Sequence, residues 1–145
     1  MKILTACAKH APLLRKQLRG HNLKVTPARL GILDVLTHTK KPISIQDISL
    51  KLKNTDLATL YRTLETLKDL GIVTQVDFQH GHAHYELAAR KHHHHLICQK
   101  CGKVADISKC DTSGLEKQAL KIGGFAKINS HSLEFFGICN ACKRK

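Results

Sequence analysis

Tryptophan is absent from this 145-residue chain, and aromatic residues make up only 4% of it. Hydrophobic residues still reach 42%, so a globular core is feasible, resting on Leu, Ile and Val. Long apolar runs are missing too: none approaches the roughly 18 residues of a membrane-spanning helix. The start, Met1 to Ala8, has the outline of a secretory or lipoprotein leader. Its apolar run is too short, and His10 and Arg15 follow at once, so a cytoplasmic location is expected. Acidic residues are few, 11 against 24 Lys and Arg, for a formal net charge of +13. The excess is spread along the chain: 13 basic against 7 acidic residues in 1–88, and 11 against 4 in 89–145. Such a balance favours polyanionic partners. No Ser/His/Asp arrangement, glycine-rich phosphate loop or internal repeat is present, and the only low-complexity stretch is a run of histidines.

That run is the densest chemistry in the chain. His92-His93-His94-His95 leads through Leu96-Ile97 into Cys98-Gln-Lys-Cys101, and a second pair, Cys139-Asn-Ala-Cys142, lies near the end. Two such clips match a tetrahedral four-cysteine zinc site, with sulfurs within reach of bonds of about 2.3 Å. Two disulfides or four buried thiols are the alternatives, and disulfides require an oxidising compartment that nothing here indicates. Four thiolates and one Zn²⁺ would reduce the net charge to about +11. The interval between the clips exceeds the usual zinc-ribbon spacing, so a small folded element must lie between them.

In chain order, residues 1–20 read as a helix with Leu13, Leu14 and Leu18 on one face and Gly20 as its stop. Thr26 and Pro27 form an N-cap and first-position pair for a helix through Leu36. Its stripe comprises Leu30, Leu33, Leu36 and either Ile32 or Asp34, and Thr37 to Lys41 is a polar stretch ending at Pro42. Ser44 caps a helix from Ile45 to Leu52, with Asp47 making an imperfect capping box. A further helix runs from Leu57 to Leu70 with Leu60, Leu64, Leu67 and Leu70 inward, ended by Gly71. Two strands follow, Ile72 to Phe78 and Ala83 to Leu87, joined by residues 79–82. This order is that of a winged helix-turn-helix, whose recognition helix would expose Thr59, Tyr61 and Arg62 to DNA phosphates and base edges. Beyond a connection at 88–91, strands at His95–Cys98, Val104–Ile107 and Ile128–Gly137 and a helix at Leu115–Lys121 predict a small α+β domain. The third strand, if exposed, would suit sheet pairing between two chains. The fold expected is α+β: a winged-helix domain over 1–87, with 1–12 an extra segment, and a dimerisation and metal-binding domain over 88–145.

Several stretches in this order together resemble the ferric uptake regulator family of metal-responsive repressors. They are Leu23 to Arg29, Ala58-Thr-Leu-Tyr-Arg-Thr-Leu64, Gly71-Ile-Val73, Tyr85-Glu-Leu87, His92 to Val104 and His131-Ser-Leu133 before Cys139. The resemblance covers roughly residues 13–142. It implies a homodimer that binds a palindromic double-stranded DNA operator, with structural zinc on Cys98, Cys101, Cys139 and Cys142. It implies a sensory divalent ion held by Glu86, His93 and His95, DNA contacts from Tyr61 and Arg62, and a minor-groove contact from Lys24. His92, His94, Glu116 and His131 fall at or near a further metal site, to which Asp106, an acidic position that is a ligand in some members, is joined.

Two departures bear on the sensory ion. Pro42 occupies the register of a common sensory His, with His38 four residues early, and the family's usual His-His-Asp-His is here four histidines. Carboxylate-rich sites suit Mn²⁺ and Fe²⁺, whereas imidazole-rich sites also suit Zn²⁺ and Ni²⁺. His82, His84 and Glu86 alternate along one strand and share a face, so His84 is a candidate to replace the missing ligand, alongside a wing His in contact with phosphate. The absence of a Cys near Glu86, common in zinc sensors of the family, tilts the reading toward Fe²⁺, with Zn²⁺ or Mn²⁺ as alternatives and a nickel or peroxide sensor as further ones. An enzyme reading has one superficial motif, His84-Tyr-Glu86 before Cys98-x-x-Cys101, which has the elements of a zinc deaminase signature. The interval is too short, no Pro precedes Cys98, and the second Cys pair would have no role. A zinc-ribbon RNA-binding protein fits the charge but lacks the aromatic stacking surface such modules use. Cys7 and Cys110 belong to neither set.

Overall fold

A computed structural model of the chain describes residues 10–78, 83–88, 93–109, 111–129 and 131–144. Cys7, the 79–82 connection with His82, residues 89–92 with His92, and Cys110 lie outside the described residues. The chain divides into two compact units, Met1–Ala89 and Arg90–Lys145. Among the described residues no helix is long and apolar enough to cross a membrane.

The first unit opens with α1 (Ala11–Gly20), which buries Leu14 and Leu18. Leu13 was expected on that face but is 66% exposed, because Leu14 and Leu18 are four apart and Leu13 is turned away from their line by one residue's rotation. The helix ends at Gly20 as expected, but the turn that closes it lies two residues on. Asn22 adopts the left-handed conformation at φ 56°, its N–H donates to the Arg19 carbonyl, and Leu23 N–H donates to Leu18. This is a Schellman closure built on Asn.

Helix α2 (Pro27–His38) begins as expected, with Thr26 Oγ1 accepting from Arg29 N–H at 3.3 Å. It runs two residues beyond Leu36, and Ile32, not Asp34, completes its buried stripe with Leu30, Leu33 and Leu36. β1 (Ile43–Ser44) is too short to show alternation in sequence. Ser44 then caps α3 (Ile45–Lys51) by accepting from Asp47 N–H, while its hydroxyl donates to Asp47 Oδ2 at 2.7 Å. The imperfect box thus closes side chain to side chain. α4 (Leu57–Asp69) buries Leu60, Leu64 and Leu67. Leu70 sits past the last turn and is 39% exposed. Gly71, at φ +66°, completes the Schellman closure with N–H groups donating from Gly71 to Lys68 and from Ile72 to Leu67. β2 (Val73–Asp77) and β3 (Ala83–Leu87) complete an antiparallel sheet of order β1-β3-β2. Its Ile43, Val73 and Tyr85 join the helical leucines and isoleucines in one core, where each buried aliphatic side chain contributes roughly 1.5–3 kcal/mol over exposure. Two helices, a short strand, two more helices and a two-stranded wing make a winged helix-turn-helix.

In the second unit β4 (His94–Cys98) is central in a sheet of order β5-β4-β6, antiparallel to β5 (Val104–Ile107) and parallel to β6 (Glu134–Gly137). The parallel pairing requires a crossover, which contains α5 (Ser113–Gly123). The third strand is shorter than the expected Ile128–Gly137, since only Glu134 onward pairs with β4. The second Cys clip starts at Cys139, the N-cap of the short helix α6 (Asn140–Lys143), which carries Cys142. α5 has no buried residue, and Leu115, Ile122, Phe125, Phe135 and Ile138 are exposed.

Candidate metal centre

The parallel pairing of β4 with β6 sets Cys98 opposite Gly137, so the second clip starts beside the first. Gly102 N–H donates back to the Cys98 carbonyl at 2.9 Å and Cys98 N–H to Lys103 at 2.8 Å, folding the first clip into a knuckle. Cys142 N–H donates to the Cys139 carbonyl at 3.0 Å. One sulfur from each of Cys98, Cys101, Cys139 and Cys142 lies within 4.8 Å of all the others. The Cys101 and Cys139 sulfurs are 3.7 Å apart, close to the edge of about 3.8 Å expected of a tetrahedron with metal–sulfur bonds of about 2.3 Å. All four are free thiols and only Cys98 is buried, so neither paired disulfides nor four buried thiols describes the set.

The thiols are not equivalent. The backbone N–H of Cys139 donates to Cys98 Sγ at 3.3 Å and is the chief reason that the Cys98 pKa falls to about 6. The backbone N–H of Cys142 lowers Cys139. Cys142 itself, against the thiol groups of Cys101 and Cys139, is pushed up to about 12. Four negative charges at this spacing do not coexist without a cation, and a divalent ion reverses that balance. The four sulfurs are spaced so that they could hold a tetrahedral divalent metal.

The histidine run divides by strand alternation. His93 precedes β4, and its ring meets that of His95 edge-on, with centroids 4.9 Å apart. His94 points to the other face, where its Nε2 is 3.4 Å from His131 Nε2 and the rings stack at 5.2 Å. His131 Nδ1 is 3.0 Å from Glu116 Oε1, which also accepts from the Thr112 hydroxyl at 2.8 Å. Of the residues expected at a further site, His94, His131 and Glu116 come together, and His92 lies outside the described residues. Glu116 thus meets the ring nitrogen of His131 opposite the one that faces His94. Asp106 pairs across the ladder with His95, not His94, and is on the other face of the sheet.

In the first unit, His84 and Glu86 share a face of β3, opposite Val76 and Thr74, while Tyr85 faces the core. The His84 ring lies 4.3 Å from that of Phe78. Glu86 is buried. Pro42 is buried before β1 and supplies no ligand.

On α4, Tyr61 and Arg62 are exposed. Thr59 is committed elsewhere: its N–H donates to Asp56 Oδ1 at 2.8 Å and its hydroxyl to Asp56 Oδ2 at 2.6 Å. These bonds hold the Asp56 carboxyl below the usual carboxylate range. Thr59 therefore closes the N-cap of α4. Lys24 is exposed, and its carbonyl accepts from Arg29 Nη1 at 2.7 Å. Neither Asp56 nor Arg29 was singled out by sequence reasoning. The Asp-x-x-Thr spacing before an apolar stripe was the available signal for the first.

The family model of the ferric uptake regulator family matches residues 20–136. The chain is 36% identical over 140 residues to the ferric uptake regulation protein of Bacillus subtilis strain 168, covering 91% of this chain and 93% of that protein. Its structure is similar to that of the Helicobacter pylori ferric uptake regulator, described as having three functional metal-binding sites. The TM-score is 0.74 at 27% identity, over 99% of this chain and 97% of that one. For the Vibrio cholerae ferric uptake regulator, noted for a rearrangement of its DNA-binding domains, the TM-score is 0.73 at 35% identity, over 86% of this chain and 98% of that one.

Proposed function

The chain belongs to the ferric uptake regulator family, and from that premise we propose that it is a metal-dependent, DNA-binding transcriptional repressor acting as a homodimer in the control of metal homeostasis genes. Zinc on Cys98, Cys101, Cys139 and Cys142 is the structural ion. The sensory ion is Fe²⁺, held by Glu86, His93 and His95, with His84 the fourth ligand from the same face of β3. His94 and His131 form a further site oriented by Glu116. Tyr61, Arg62 and Lys24 contact DNA.

The observation that carries this reading is the segment from His93 through β4, where the neighbouring imidazoles of His93 and His95 lead directly into a cysteine set of tetrahedral dimensions. A site of oxygen and imidazole donors accepts Fe²⁺, Zn²⁺ or Mn²⁺, whereas the thiolate set favours zinc. The exposed apolar residues of α5 and β6 support a second copy as the partner of this unit, and the net charge of +13 supports a polyanion. Regulation follows as a population shift: the sensory ion binds one conformation better, and that conformation fits two operator half-sites. A tenfold gain in DNA affinity needs only about 1.4 kcal/mol of coupling.

The test is to chelate weakly held metal, confirm one zinc per chain, and titrate Fe²⁺, Mn²⁺, Zn²⁺ and Ni²⁺ anaerobically against a pool of duplexes. Fe²⁺ should restore salt-sensitive binding, and Glu86→Ala with His93→Ala should abolish the response. Equal DNA binding with and without a second metal would overturn the sensory reading.

A further inference from the structure

We propose that the winged-helix unit carries a divalent-metal site of its own, formed by His10, Asp34 and His38. The three residues each offer one ligand atom, and these atoms lie within 4.8 Å of one another. Asp34 and His38 are one turn apart on α2, so their side chains share a face. His10 comes from the N-cap position of α1, where its side chain makes no capping bond. The His10 and His38 rings meet edge to face with centroids 5.1 Å apart.

Asp34 and His38 alone would be an ordinary helix-surface ion pair, with Nδ1 to Oδ1 at 3.6 Å. That pair does not account for His10. Its Nδ1 is buried and has no hydrogen-bond partner among the described residues, and a buried ring nitrogen without a partner is costly. His38 is prepared for the same role. Its Nδ1 lies 2.8 Å from the Asp34 carbonyl, so with Nδ1–H donating there, Nε2 carries the lone pair. A ligating imidazole is commonly oriented by such a second bond. A groove lined by Gly31, Asp34, Val35, His38, Lys51 and Leu52 opens beside the pair and gives an ion a path in.

Two imidazoles and one carboxylate suit a borderline divalent ion such as Co²⁺, Zn²⁺, Ni²⁺ or Fe²⁺, with the remaining positions left to water. The ion would fasten the first turn of α1 to the last turn of α2. The site uses none of the ligands of the sensory reading and stands or falls separately from it.

The test is Co²⁺ titration of the full chain with its structural zinc retained, followed by visible d–d absorption. His10→Gln, His38→Gln and Asp34→Asn should each lose one Co²⁺ equivalent relative to the parent, with no change in far-ultraviolet circular dichroism. Glu86→Gln with His93→Gln should leave that equivalent in place. His38 is about half exposed, and Asp34→Asn is isosteric, so at least one variant keeps the fold. Bound Co²⁺ should also broaden the His10 and His38 ring resonances in the parent protein. Equal Co²⁺ uptake by the parent and all three variants would overturn the proposal, as would broadening that spares both rings.

Discussion

The Cys101 sulfur lies 3.7 Å from the Cys139 sulfur, although 38 positions separate them in the chain. The contact exists because β4 and β6 run parallel and deliver both clips to the same end of the sheet. Across the sheet, Leu96 and Phe135 are exposed, and α5 buries nothing. A unit with so little core should depend on its ion to fold. Removing the metal with a strong chelator, or replacing Cys139 by Ser, should therefore release one zinc per chain. It should also erase hydrogen-exchange protection at 94–98 and 134–137 while α2 and α4 stay protected. Retained protection in a zinc-free chain would refute the structural role.

The cap of α4 makes a pH-dependent contribution. Thr59 holds the Asp56 carboxyl below its ordinary pKa in the folded state. A depressed carboxyl stabilises fully above its unfolded pKa, and the contribution is lost as pH falls through the folded value. Asp56→Ala should lower the melting temperature at neutral pH. Asp56→Asn, which still caps, should keep most of it and flatten the acid limb. Thermal melts from pH 2 to 7 read both effects, and an unchanged acid limb in Asp56→Asn would exclude this carboxyl as the source.

One substitution at two glycines should give opposite signs. A Cβ added at either Gly20 or Gly71 meets nothing within 4 Å, so only the backbone decides. Gly20 lies inside α1, and Gly20→Ala should stabilise by up to about 1 kcal/mol. Gly71 sits at φ +66°, and Gly71→Ala should destabilise by about 1–2 kcal/mol. Urea unfolding measures both, and a shared sign would contradict the assigned closures.

Those glycines also mark where the sequence was legible. Caps with a side-chain signal were readable: Thr26-Pro27 and Ser44 begin helices where expected, because the same residues that favour a cap form it. Closures depending on a backbone angle were readable where glycine supplies it, as at Gly71, but not after α1, where Asn22 takes the left-handed role that Gly20 seemed to offer. Leu13 and Leu70 looked inward because apolar spacing marks a stripe but not its edges. The four-cysteine set was readable from spacing alone. The division of the histidines was half readable: alternation separates His94 from His93 and His95. That Asp106 stands with His95 requires the register across the knuckle, which only pairing fixes. The contact of Glu116 with His131 links a crossover helix to the segment before β6, and no local pattern encodes it.

Salt dependence should distinguish two basic residues near the start of α2. Arg29 spends its guanidinium on the Lys24 carbonyl at 2.7 Å, which fixes the backbone just before the helix and leaves the Lys24 ammonium exposed. On the proposed DNA-binding reading, Lys24 neutralises a phosphate and Arg29 positions it. Lys24→Ala should weaken binding and reduce the slope of log K against log salt by about one. Arg29→Ala should weaken binding by roughly tenfold, about 1.4 kcal/mol, with the slope nearly unchanged, because the lysine remains but its anchor is lost. Hydrogen exchange should rise at residues 23–26 in Arg29→Ala and stay as in the parent in Lys24→Ala. If Arg29→Ala instead reduced the slope by one without raising exchange, Arg29 would itself be a phosphate contact, and its bond to the Lys24 carbonyl would have no part in recognition.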